Sequence, residues 1–128
     1  MALKRVRLEL GRTKDFPNGS RGRGYEFTAP LDHEGHLDPA EWKRHRDQCR
    51  VRRFWEGEAD EVGHLVHRPG GAWAFHYDIH GDDNADDAGY RFSTERFRPG
   101  EYVSIREQDE EMRTFRVITV QDVVQYDV

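Results

Sequence analysis

Apolar and polar residues alternate with a period of two along most of this chain, the pattern of strands with one enclosed face. Lys4, Val6, Leu8 and Leu10 alternate with Arg5, Arg7 and Glu9. Tyr25 to Thr28 resumes a short strand after the turn residues Asp15 to Ser20 and the run Arg21-Gly22-Arg23-Gly24. Val51, Arg53 and Trp55 share one face of a later segment, and Val62, His64 and Val66 share one face of the next. The clearest alternation covers 72–80: Trp73, Phe75, Tyr77 and Ile79 point one way, and Ala74, His76, Asp78 and His80 the other. Tyr102 to Ile105 and Thr114 to Val120 add two more, the latter setting Phe115, Val117 and Thr119 against Arg116, Ile118 and Val120. Arg68-Pro69-Gly70-Gly71, Arg98-Pro99-Gly100 and the polar stretch Glu107 to Glu111 read as turns, and Gly81 to Gly89 as an acidic loop.

One segment reads as a helix, over about 39–48. Asp38 can cap it, Pro39 suits the first helical position, and Glu41 completes a capping-box arrangement. Trp42, His45 and Cys49 fall on one side, which docks on the sheet. Short strands about ten residues apart with one short helix predict a single domain over 1–128. The expected fold is mainly β: a small antiparallel β-barrel or a strongly bent sheet. Closure would also remove edge strands, a hazard for alternating sequences.

Composition narrows the picture. Of the 128 residues only 35 % are apolar, and mean hydropathy is −1.00, but 12 % are aromatic. That supplies one small core, since each enclosed ring buries roughly 150–250 Å². No stretch approaches the ~20 apolar residues of a transmembrane helix, so no membrane partner is expected. Charges within the first ten residues argue against a signal peptide, and a single cysteine, Cys49, fits a reducing compartment. A cytoplasmic protein is the expectation. Charge is uneven: residues 1–55 carry 13 Lys/Arg against 8 Asp/Glu, and residues 56–128 carry 7 against 17. Such asymmetry can mark a surface that meets a partner, or a homodimer joining basic to acidic faces.

Three chemistries arise from these residues. Three Trp, five Tyr and seven Phe are more large rings than a small core must bury, and Trp55, Trp73, Tyr77, Tyr90 and Tyr102 are the candidates for a groove binding a protein partner or a second copy; aromatics with arginine are the chemistry of interface hot spots. Arg21, Gly22, Arg23, Gly24 and Tyr25 have the make-up of basic segments that contact nucleic-acid backbones, and Lys43, Arg44 and Arg50 could extend that patch. The whole-chain pI near 5.8 weighs against it, because dedicated nucleic-acid domains are basic. His76, Asp78 and His80 leave one face of a strand, and His64 from the preceding strand could add a fourth metal ligand. Alternate strand residues stand roughly 6.5–7 Å apart, which strains that set. Asp82 to Asp86 has the opening spacing of a calcium loop, but Asp87 stands where glycine is required. Cys49, near a helix C-terminus, reads as a packing residue, and no nucleophile elbow occurs.

Phe97-Arg98-Pro99-Gly100-Glu101-Tyr102-Val103-Ser104-Ile105 resembles the Pro-Gly-X-Tyr strand of the flavin-binding barrel in ferredoxin reductase-type enzymes. The resemblance implies a barrel strand entered from a turn. That family's following Arg-X-Tyr-Ser/Thr strand, which holds the flavin, has Arg113-Thr114-Phe115-Arg116 as its nearest counterpart here, without the hydroxyls. No cofactor is therefore assigned. The segments Gly89 to Ser93, Ser104 to Glu107 and Thr114 to Val120 resemble a small family of uncharacterised proteobacterial proteins, which implies a bacterial cytoplasmic protein and transfers no catalytic residue. The leading expectation is a non-enzymatic binding module using aromatic and arginine side chains. Nucleic-acid binding is the alternative, and a metal-dependent enzyme at His76, Asp78 and His80 the third reading.

Overall fold

In the computed structural model the alternating segments pair in chain order, each antiparallel to the one before. The structure describes residues 3–80, 88–90 and 95–123, except the side chains of 80 and 88–90. The strands are β1 (Leu3–Leu10), β2 (Ser20–Pro30), β3 (Arg50–Trp55), β4 (Glu61–His67), β5 (Trp73–Tyr77), β6 (Ala88–Tyr90), β7 (Tyr102–Arg106) and β8 (Met112–Asp122). β8 pairs back on β1, closing an up-and-down barrel in which consecutive strands are neighbours. Among the described residues the β6–β7 seam shows one pair, Gly89 with Arg106. Part of the expected acidic loop is thus a strand, Ala88–Tyr90; the proposed calcium-loop residues Asp82 to Asp86 lie outside the described residues.

The interior is filled by the enclosed face of each strand. Leu8, Tyr25, Phe27, Val51, Leu65, Trp73, Phe75, Ile105, Phe115 and Val117 make one continuous apolar cluster. Tyr25 and Phe27 meet Phe75 with ring centres 5.1 and 5.5 Å apart. One end is covered by the connection from β2 to β3, where Asp38 accepts hydrogen bonds from the Ala40 and Glu41 N–H groups and Pro39 opens α1 (Pro39–Arg44). The expected helix of 39–48 divides here: α1 ends at Arg44, and Arg46–Gln48 is a 3-10 turn. Trp42 docks as expected, donating to the Leu65 carbonyl at 2.9 Å and meeting Trp73 edge-on. Phe97 packs edge-on against Phe27.

Two expected alternations shift phase. β5 ends at Tyr77 and continues as a 3-10 turn, Asp78–His80, so Ile79 leaves the aromatic face and is 84 % exposed. In β8 the register with β1 steps from Leu8–Val117 to Arg7–Thr119, leaving Ile118 as a bulge. Beyond it Val120, not Thr119, packs against the core. At Gly24 and Gly63 adjacent backbones come too close for a side chain: an added Cβ would stand 1.9 Å from the Leu8 carbonyl oxygen and 2.0 Å from that of His76.

Candidate binding surface

Arginines of the N-terminal half find most of their partners inside the fold. Arg53 and Trp55, on the enclosed face of β3, lie at the barrel end opposite α1. There the fully buried Glu107 carboxylate accepts hydrogen bonds from the Tyr25 hydroxyl (2.5 Å), the Arg53 Nε (3.0 Å) and an Arg113 Nη (2.9 Å). Burial disfavours the charged form of Arg53, but Glu107 and the Tyr25 oxygen outweigh this and raise its pKa. Burial pushes the Tyr25 phenol well above its ordinary value, with Tyr77 and Glu107 adding to it, and burial likewise raises Tyr77. The Trp55 ring lies under three guanidiniums, Arg53 at 4.2 Å, Arg113 at 5.7 Å and Arg23 at 5.9 Å.

The outer wall repeats the theme. Arg7 pairs with Glu9 and Glu26, Arg52 with Glu26 and Asp60, and both guanidiniums cover the Phe54 ring. Arg50 pairs with Asp78 at 2.7 Å and Arg23 with Glu56 at 3.1 Å. Arg23, Arg50, Arg52 and Arg53 of the basic half are thus paired with carboxylates of the acidic half within one chain.

These contacts locate each sequence-derived candidate. Trp73 (2 % exposed) and Tyr77 (1 %) are core residues, because closure puts their face of β5 inside, so they offer no ring to a partner. Trp55 is half-buried beneath its arginines. The side chain of Tyr90 lies outside the described residues. Tyr102, on the outer face of β7, is 59 % exposed. Among the basic candidates, Arg21 begins β2 whereas Lys43 and Arg44 follow its far end, roughly 30 Å away at strand rise. They do not form one patch; Arg23 and Arg50 are held in ion pairs, and Arg44 lies 3.8 Å from Glu41. Of the metal candidates the fold brings His64 and Asp78 together, with His64 Nδ1 3.4 Å from an Asp78 oxygen. His64 pairs with His76 across β4–β5, but Asp78 has left the strand and Arg50 donates to it while contacting the His64 ring nitrogens. A guanidinium therefore stands where the cation would sit. Among the described residues no three His, Cys, Asp or Glu are grouped to hold a metal ion; the side chain of His80 lies outside them.

What the fold does assemble is a concavity of about 900 Å³ on the outer wall, where β1, β8 and β7 meet the loop before β2. Arg12, Arg21, Arg116, Tyr102, Ile118 and Glu9 line it. Two ladder irregularities build it. Between Glu9–Gly24 and Leu10–Ser20 the β1–β2 register skips Arg21 to Arg23, which leaves Arg21 outside the ladder and exposed, its carbonyl accepting from the Arg7 guanidinium at 3.2 Å. The bulge at Ile118 flanks β1 on its other side. The Asn18-Gly19 turn shapes the loop: Gly19 has φ +73°, its N–H donates to the Phe16 carbonyl, and a Cβ there would lie 2.6 Å from the Leu10 oxygen. Tyr102 and Arg116 are directly opposed on β7 and β8, and Arg116 is opposed to Glu9 on β1. Glu9 is bound to Arg7 at 2.8 Å. Arg12, Arg21 and Arg116 are exposed, and among the described residues none of them makes an ion pair.

Sequence reasoning named Tyr102 and Arg21 for different chemistries, and the fold brings them to one surface. It missed Arg12 and Arg116, although Arg116 follows from the outward phase of β8. It also missed Glu107, which continues the inward alternation of Val103 and Ile105. No helix of the described residues is long and apolar enough to cross a membrane. No protein-family model, curated protein or solved structure matches the chain.

Proposed function

We propose that this protein is a non-enzymatic binding module that takes an anionic ligand in the concavity around Tyr102. The observation that carries this reading is the convergence of Arg12, Arg21 and Arg116, without ion-pair partners among the described residues, on an exposed ring. On the neighbouring wall and at the barrel end, by contrast, Arg7, Arg52 and Arg53 are each paired with carboxylates and cover the Phe54 and Trp55 rings. Bulges recur where a sheet re-aims side chains toward a ligand, and two of them bound this site. Its volume falls within the several hundred to about 1,000 Å³ usual for ligand sites. The single buried Cys49 supports a reducing, cytoplasmic setting.

Titration calorimetry with inorganic polyphosphate tests the reading. Wild-type protein should bind, and Arg12→Ser with Arg116→Ser should weaken binding at least tenfold while the unfolding midpoint stays unchanged. Equal binding by wild type and variant would overturn the assignment of the site.

A further inference from the structure

Resting on that reading, we infer that the ligand is a single-stranded nucleic acid, with a base stacked on Tyr102 and the backbone held by Arg12, Arg21 and Arg116. Simple anion capture needs the cations but not the ring. Here a phenol, 59 % exposed, stands directly across the β7–β8 ladder from Arg116. Directly opposed side chains have Cβ atoms roughly 5 Å apart, so one nucleotide can place its base on the ring and its phosphate at the guanidinium. Ile118, bulged out of β8 into the same concavity, adds an apolar flank. Arg12 and Arg21 come from the loop side, so a chain running from the ring across β8 toward the loop meets Arg116 first and, past Glu9 on β1, Arg12 and Arg21.

Two features favour a single strand over a duplex. In a duplex the base faces are stacked on one another and are not offered to a side chain, whereas splayed bases stack readily on aromatic rings. The protein also carries a net charge of −5. Its overall field repels a polyanion, so binding needs a non-electrostatic contribution at the site, and base stacking supplies one. Contacts to ring face and phosphate read no base edges, so recognition is tolerant of sequence.

Fluorescence anisotropy with a labelled oligothymidylate tests this, using the matching duplex and unlabelled inorganic polyphosphate as competitors. Binding should prefer the single strand, and Tyr102→Ala should weaken it about tenfold or more, while Tyr102→Phe retains it. Because three phosphates at most are neutralised, the logarithm of affinity should fall against that of salt with a slope of about −2, and less steeply in Arg116→Ser. If polyphosphate binds and competes fully while Tyr102→Ala changes nothing, the nucleic-acid inference fails and the anion site stands. Binding of neither polyphosphate nor oligonucleotide would overturn both. A preference for the duplex, or single-strand binding indifferent to Arg12→Ser with Arg116→Ser, would also overturn the inference.

Discussion

Replacing Glu107 by glutamine should cost about 3 kcal/mol of stability, far more than the loss of a surface carboxylate. The carboxylate is fully buried and accepts from Tyr25, Arg53 and Arg113. Glutamine keeps the shape but removes the charge opposite Arg53, whose side chain is itself buried. Removing one member of a buried ion pair typically costs about 3–5 kcal/mol, because the remaining charge is left without compensation. Two features place this case at the lower end. Glu58 lies 3.6 Å from Arg53 near solvent, and Asp109 already holds Arg113 at 3.0 Å. For a domain of this size that loss lowers the melting temperature by about 10 °C and the urea midpoint by about 1–2 M. The assay is urea unfolding followed by tryptophan fluorescence, to which Trp55 beside the cluster contributes. Combining Glu107→Leu with Arg53→Met should cost less than the two single changes together, since an apolar pair leaves no orphaned charge. A loss below about 0.5 kcal/mol for Glu107→Gln would refute the view that this cluster holds the barrel end together. Strict additivity in the double variant would refute the coupling.

Gly24→Ala should destabilise by about 2–3 kcal/mol, the upper range for overpacking, because its Cβ would meet the Leu8 carbonyl oxygen at 1.9 Å; a urea midpoint unchanged from wild type would show that β1 and β2 can separate freely there. Burial raises the Cys49 thiol to about 11, so the folded protein should not react with a disulfide reagent at pH 8, and reaction should appear only on unfolding. Asp32 is held below its ordinary value by the His36 and Glu34 N–H groups, Asp78 by Arg50, and Asp109 by Arg113. Their folded pKa values lie below the unfolded one, so their contribution is complete above about pH 4 and is lost as pH falls through the folded values. Urea midpoints measured across that range should fall with acid, and less steeply in Asp109→Asn; a rise toward acid would contradict the assignment.

Strand content, and a barrel or strongly bent sheet, were legible because the period-two pattern records that each strand has one enclosed face; that the sheet closes is set by the pairing of β8 with β1. Val51, Arg53 and Trp55 were readable as one face, but not as the face turned inward: an arginine there is acceptable only because Glu107, 54 residues on, meets it. Trp73 and Tyr77 were misread as groove residues because aromatic content alone does not say how much core a closed barrel needs. Ile79 was misplaced because the end of β5 and its 3-10 turn depend on the neighbouring strand. Val120 changed sides for a similar reason, since the bulge at Ile118 is fixed by pairing with β1. The concavity was legible only in pieces. Tyr102 and Arg21 were visible by residue type, but a guanidinium's freedom from carboxylates is a property of the folded wall, and Arg12 and Arg116 differ from Arg7 and Arg52 only there.

Amide chemical-shift changes in isotope-labelled protein titrated with oligothymidylate test the account most directly. Shifts should concentrate on residues 9–12, 18–21, 102 and 116–118, and should disappear in the Arg12→Ser, Arg116→Ser variant. Changes centred on α1, or spread evenly over the barrel, would contradict the account.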